Sequence, residues 1–347
     1  MKREKIRKRM RREEIDALLI TNETNLRYLT NFTGSGACII TEDSGFLITD
    51  SRYVEQAGLE ADDYDIACVK VSLAETLAEI LVREKRVAFE SNYVSFSMFR
   101  QLKDRLKCNL VPVEEWVEKL RAVKTEDEEK LLKIAAGIVD EAFAYALKVI
   151  MPGRKEKDIA LELEYFIRKK KKADISFNII LVSGTRASLV HGSPSSKILR
   201  QGDIVLLDMG AGWGGYCSDL TRTICLGRMS CEQKRVYELV LRAQEEAIAA
   251  IRPGMSASGL HSTARRIIEK SNFSLGHGLG HGIGLDVHEY PRIGRGSRDV
   301  IRQGMVVTVE PGIYIPGKFG VRIEDMVLLR QNGSELLTHS PKHVIEL

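Results

Sequence analysis

The chain has 347 residues, of which 52 are Lys or Arg and 48 are Asp or Glu, a formal charge of +4. Eight of the basic groups stand in residues 1–12 against one acid, so the rest of the chain holds 44 basic and 47 acidic residues, a net of −3. With 44% hydrophobic and 29% charged residues, this composition excludes a disordered chain, and the body of the protein is not a cationic surface for nucleic acid.

The basic start (Lys2, Arg3, Lys5, Arg7, Lys8, Arg9, Arg11, Arg12) runs into Glu13 and Glu14. A secretory signal would need about 7–15 apolar residues there. Ile6, Met10 and Ile15 form an apolar stripe, which predicts a first helix whose basic groups are its solvated face, not a nucleic-acid-binding arm. No stretch approaches the ~18 apolar residues of a membrane span. The cysteines (Cys38, Cys68, Cys108, Cys217, Cys225, Cys231) form no CxxC pair or zinc-ribbon spacing. Reduced thiols in a cytoplasmic protein with no membrane partner are the expectation.

Next come Ala17–Ile20, Ala37–Ile40, Phe46–Thr49 and Arg86–Phe89, short apolar runs that predict strands. Leu73–Val82 and Phe96–Leu106 have helical spacing. Together they predict a small α/β domain over residues 1–122. Thr125 with Glu128 then forms a capping box. The apolar-periodic helix it opens runs from Leu131 through Ala146 and stops at Pro152-Gly153.

Residues 123–347 contain an internal repeat. Ala146–Gly153 recurs as Ala247–Gly254, and the following helices match Ile159, Leu163 and Ile167 with Leu260, Ala264 and Ile268. Leu199–Val205 is answered by Ile301–Val307, Asp208 by Glu310 and Gly210 by Gly312. Two copies of helix followed by hairpin predict two α+β halves related by pseudo-symmetry.

In the first copy Ile204–Met209 predicts a strand, Gly210–Gly215 a turn and Tyr216–Leu226 the return. A hairpin centred on that turn sets Asp208 opposite Asp219. In the second, Met305–Glu310, a connection over Pro311–Gly320 and Val321–Leu329 set Glu310 opposite Glu324. Packing the hairpins together converges four carboxylates, which cannot all stay ionised without compensation. Two divalent cations would supply it, and ion pairing with Arg222 and Arg322 is the alternative. Gly210–Gly215 also matches GxGxxG, but a strand follows where a dinucleotide site needs a helix. Four of the seven histidines (His191, His277, His281, His288) stand in glycine-bounded or strand-end settings. Oxygen-rich sites with one imidazole suit manganese, cobalt, iron or zinc.

Ser218–Thr223, Gly280–Gly284, Thr308–Gly312 and Arg322–Asp325, in this order and spacing, resemble the motifs of the pita-bread (M24) metallopeptidases, the family of methionine aminopeptidase, aminopeptidase P and prolidase. The likeness covers the whole chain. Residues 1–122 resemble the N-terminal domain of the Xaa-Pro branch, and residues 123–347 the α+β pita-bread, creatinase/aminopeptidase-like catalytic domain. The resemblance implies that Asp208, Asp219, His281, Glu310 and Glu324 hold two divalent metal ions, manganese or cobalt first, with zinc or iron possible. Asp219 and Glu324 would bridge the ions, Asp208 would chelate one, and His281 and Glu310 would hold the other.

By the same resemblance, metal-activated hydroxide would attack the scissile carbonyl of a proline-containing peptide. His191, His277 and His288 would orient substrate, stabilise the oxyanion and assist proton transfer, and Glu310 would shuttle a proton. Arg322 would support the ligand network, and Arg292 would meet a substrate carboxylate. A homodimer is also implied. A non-catalytic binding protein on this fold would be expected to have lost ligands, whereas all five are present. Prolidase and aminopeptidase P remain alternatives. Two segments depart from the family pattern, Lys169–Ser176 and the short loop Asn272–Leu275, and both bear on the shape of the substrate pocket.

Overall fold

The computed structural model describes residues 2–347 and divides into two compact units, one ending at Arg121 and one running from Ala122 to Leu347.

The first unit opens with α1 (Lys2–Glu13), which buries Ile6 and Met10. Its basic residues are not simply solvated, as the apolar stripe alone suggests. The Arg9 guanidinium lies 4.2 Å from the Trp116 ring centroid and the Lys2 ammonium 3.9 Å from that of Tyr28. Arg7 donates to the carbonyls of Thr41 and Ser44. Long aliphatic stems let these cations cover their own domain and still place the charge on a ring or carbonyl.

The chain continues through β1 (Ala17–Ile20), α2 (Glu23–Thr30), β2 (Ala37–Thr41), β3 (Gly45–Thr49), α3 (Val54–Glu60), β4 (Asp65–Cys68), α4 (Leu73–Ile80), β5 (Arg86–Glu90), α5 (Phe96–Arg105), β6 (Asn109–Val113) and α6 (Trp116–Ala122). One mixed sheet results, in the order β4-β3-β2-β1-β5-β6. All four residues of β1 are buried, which is why a continuous apolar run marks an inner strand. The edge strands β4 and β6 carry no such run, and Pro112 is tolerated in β6 because an edge leaves one side of the ladder unpaired.

The second unit begins with α7 (Glu126–Val149), whose Thr125–Glu128 capping box is complete and whose first turn holds four acids. α8 (Glu156–Tyr165) passes into a π-turn over Phe166–Lys170 and then β7 (Asp174–Ile175). After β8 (Ile180–Ser183), the first hairpin consists of β9 (Ile204–Met209), β10 (Ala211–Trp213), β11 (Tyr216–Cys217) and β12 (Leu220–Cys225). Then follow α9 (Cys231–Ala250), α10 (Ala257–Glu269), β13 (Gly280–Gly282) and β14 (Glu289–Ile293). The second hairpin comprises β15 (Val306–Val309), β16 (Gly312–Ile315), β17 (Phe319–Arg322) and β18 (Asp325–Arg330), with β19 (Gly333–Leu336) on its outer side. The repeat extends to single hydrogen bonds: Gly153 donates to the Leu199 carbonyl as Gly254 donates to that of Ile301.

The hairpin registers correct one expectation and keep another. Asp208 pairs with Thr221, not Asp219, because β10 and β11 carry the first hairpin on to a turn at Gly214-Gly215. A two-residue slip leaves every side chain on its original face, so Asp208 and Asp219 become diagonal neighbours. In the second hairpin, Val309 pairs with Asp325 and Gly312 with Arg322, so the intervening register sets Glu310 opposite Glu324. The expected connection over Pro311–Gly320 is mostly the strand pair β16–β17. No dinucleotide loop exists at Gly210–Gly215, since β11 follows directly.

Candidate metal centre

Each acid sits where a strand of one hairpin ends or begins. Asp208 is near the end of β9, Asp219 just ahead of β12, Glu310 just after β15, and Glu324 between β17 and β18. His281 is the middle residue of β13. The returning strands touch: the Glu324 amide donates to the Thr221 carbonyl, and Thr223 Oγ1 donates to the Arg322 carbonyl. These contacts bring the acids of both copies to the floor of one cavity of about 530 Å³. The four acids, the four histidines, Arg292 and Arg322 singled out from the sequence all line it. His191, His288 and Arg292 are exposed at its wall, whereas Asp208, Asp219, Glu324 and Arg322 are buried.

Glycine on either side of His281 is a steric requirement. A Cβ on Gly280 would stand 2.1 Å from the Thr308 carbonyl oxygen, and one on Gly282 would stand 2.1 Å from that of Tyr290. Strand β13 is therefore pressed between β15 and β14 closely enough to deliver the imidazole to the acids.

Burial and mutual repulsion set the charge state. Burial first, then the charges of Glu324, Asp208 and Glu310, hold the Asp219 carboxyl well above the ordinary carboxylate range. Burial, then Glu310 and Asp208, does the same for Glu324. Burial lifts Glu310 to about 7, with Asp208 adding to the shift and Arg322 opposing it. Burial also lowers His281 and His277 to about 4, so both rings are neutral near pH 7. His281 Nδ1 lies 3.0 Å from the Gly282 carbonyl oxygen, which can only accept, so that nitrogen carries the proton. The lone pair of Nε2 then faces Glu310 Oε1 at 3.5 Å and Asp219 Oδ2 at 3.8 Å.

This donor set fits a divalent cation. Asp219, His281 and Glu324 each offer a ligand atom, all within 4.8 Å of one another. The buried Oδ1 atoms of Asp208 and Asp219 accept no hydrogen bond, which for a buried carboxylate is costly unless a cation is the intended partner. His281 has the arrangement of a metal-binding histidine, with one ring nitrogen fixed by a carbonyl and the other presented to the site.

The arginine alternative holds for one acid only. Arg322 pairs with Asp208 Oδ2, whereas Arg222 pairs at 2.6 Å with Asp325, outside the four. Arg322 also donates to Thr221 Oγ1, the Val190 carbonyl and the Tyr314 hydroxyl. Because Arg322 already donates to the Tyr314 oxygen, the Tyr314 proton goes to His277 Nε2 at 2.9 Å. His277 Nδ1 correspondingly donates to the Gly278 carbonyl.

Sequence reasoning missed Tyr314, Thr221 and the Lys124–Glu289 pair. Alternation along the strand after Glu310 carries a signal for Tyr314, because residues 310, 312 and 314 share a face. Lys124 and Glu289 form an ion pair at 2.8 Å with side chains only 1% and 3% exposed. Glu289 also accepts from the Asp286 amide, which closes the loop that carries His288.

A sequence model described as metallopeptidase family M24 matches residues 130–331, and one described as the creatinase/prolidase N-terminal domain matches residues 2–123. The chain is 42% identical to the uncharacterized peptidase YqhT of Bacillus subtilis (strain 168), with all of both chains covered. Among solved structures it is similar to the Xaa-Pro dipeptidase from Bacillus anthracis, at a TM-score of 0.96 and 41% identity, covering 100% of this chain and 99% of that one. It is also similar to the X-Pro aminopeptidase from Thermotoga maritima MSB8, at a TM-score of 0.88 and 37% identity, covering 98% of this chain and 100% of that one.

Proposed function

The chain belongs to metallopeptidase family M24, and on that premise we propose that it hydrolyses Xaa-Pro peptide bonds with two divalent metal ions held by Asp208, Asp219, His281, Glu310 and Glu324. The observation that carries the reading is the convergence of these five side chains, with two buried and unpartnered carboxylate oxygens, on one cavity. Manganese or cobalt suits this donor set best, with zinc or iron as alternatives. The chemistry such ions supply is a water pKa brought toward neutrality and a polarised carbonyl.

The chain's own residues do the rest. Glu310, which lines the same cavity, would take a proton from water and return one to the leaving nitrogen. His191 and His288 line the cavity wall and orient the substrate. Tyr314 fixes His277 as a neutral ring. Arg322 holds Asp208 against the floor. Phe177, Ile180, Val190 and Val287 give the cavity an apolar side suited to a pyrrolidine ring. Arg292 at the wall would meet the free carboxylate of a dipeptide. Domain limits of 1–122 and 123–347 and a homodimeric assembly belong to this proposal, as does a cytoplasmic location. No helix among the described residues is long and apolar enough to cross a membrane.

Purified protein with added manganese or cobalt is expected to cleave Xaa-Pro or Xaa-Pro-Yaa substrates, and Asp208→Asn should abolish the activity. Full activity in that variant, or after exhaustive chelation, would sink the proposal. Comparing the two substrate lengths assigns dipeptidase or aminopeptidase action. For a dipeptidase, Arg292→Gln should raise KM for Xaa-Pro far more than for its C-terminal amide.

A further inference from the structure

Thr221 and Arg322 together link the metal-facing carboxylates of the two hairpins. Thr221 lies directly across from Asp208 in the first hairpin, the place that Glu324 holds across from Glu310 in the second. It is fully buried. Its Oγ1 accepts from Arg322 Nε at 3.0 Å and stands 2.6 Å from Glu324 Oε2. A guanidinium can only donate, so the threonine proton is left for the carboxylate. The Arg322 that orders Thr221 in this way is also the partner of Asp208 Oδ2. A continuous line of hydrogen bonds therefore runs Asp208–Arg322–Thr221–Glu324. It occupies one oxygen of each terminal acid and leaves Asp208 Oδ1 and Glu324 Oε1 for the site.

We infer that the Thr221 hydroxyl is a positioning group for the metal centre, turning Glu324 so that one carboxylate oxygen is presented to the cation and coupling its orientation to that of Asp208. The inference rests on the reading of Asp208 and Glu324 as ligands. Thr221 is not among the residues that line the cavity, so its effect should appear in metal binding before it appears in turnover. Outer partners of metal ligands commonly change affinity about 10–100-fold when removed.

The test is Mn²⁺ binding to the chelator-treated full-length protein, by titration calorimetry and by metal content after dialysis. The proteins are the wild type, Thr221→Val and Thr221→Ser, with the melting temperature of each metal-free protein measured alongside. Thr221→Val is expected to bind Mn²⁺ about 10–100-fold more weakly, and Thr221→Ser, which keeps the donor, to bind as the wild type does. If Thr221→Val does not fold, Thr221→Cys, of similar volume and with only a weak S–H donor, carries the same expectation. Unchanged affinity in the folded variant, even with a lowered melting temperature, would mean a packing role and overturn the inference. Serine binding as weakly as valine would overturn it too. Failure of the wild type to bind Mn²⁺ would instead remove the ligand reading on which it stands.

Discussion

Removing the Lys124 ammonium should destabilise the catalytic unit more than any surface substitution could. Lys124 and Glu289 meet at 2.8 Å with both side chains almost fully buried. With an effective dielectric of about 20, that separation corresponds to roughly 6 kcal/mol of attraction, much of it offset by desolvation. Deleting one partner removes the attraction but leaves Glu289 buried, with the Asp286 amide still donating to it. The expected cost of Lys124→Met is about 3–5 kcal/mol. For a unit of this size that is a fall in melting temperature of roughly 6–20 °C.

Trp116 lies in the first unit and Trp213 in the second, so urea unfolding in a Trp116→Phe background, followed by fluorescence, reports on the second alone. Adding Glu289→Met should recover most of the loss, because replacing a whole buried pair by apolar groups is often near neutral. A Lys124→Met cost under about 1 kcal/mol, or two strictly additive single costs, would refute the assignment of the pair as a coupled buried ion pair.

Metal-free protein should lose stability as pH rises above about 6.5, where the opposing gain from His277 and His281, lowered from 6.5 to about 4, is complete. The folded-state pKa of Glu310 is raised to about 7 and those of Asp219 and Glu324 are raised too. Their contribution is thus complete below the unfolded values and is lost as pH rises through the folded ones. Thermal melts of chelated protein at pH 6.5 and pH 8 test the sign, and Mn²⁺ should restore more stability at the higher pH while releasing protons. Tyr314→Phe removes the hydroxyl proton from His277 Nε2 and should lower kcat/KM about tenfold, the equivalent of one net hydrogen bond. Unchanged kinetics would show that the His277 tautomer is immaterial. Gly282→Ala drives a methyl into the Tyr290 carbonyl. It should cost several kcal/mol, roughly 1–3 or more as overpacking, and weaken Mn²⁺ binding through His281; wild-type binding and stability would refute the close-packing argument.

The inner strands, the Thr125 capping box and the duplicated helix–hairpin pattern were all readable, because each is a local matter of apolar period, cap chemistry or turn residues. The acids of the cavity were readable for the same reason, since strand alternation preserves their face even when the register is misjudged by two. What linear order did not reveal was contact across long separations. Thr221 meets Glu324 at 2.6 Å across 103 residues, and Arg322 meets Asp208 across 114. Lys124 meets Glu289 across 165. The edge strands β4 and β6 were equally hidden, being half solvated and without an apolar run. The basic first helix was readable too, but not which of its cations face a ring, because that depends on which ring folds beneath it. Residue types and their periods thus specify which chemistry is present and on which face it lies. How charges pair, which protons they hold and which oxygens remain for a cation are settled by burial, because the cost of removing a charge from water is incurred only once distant segments close over it.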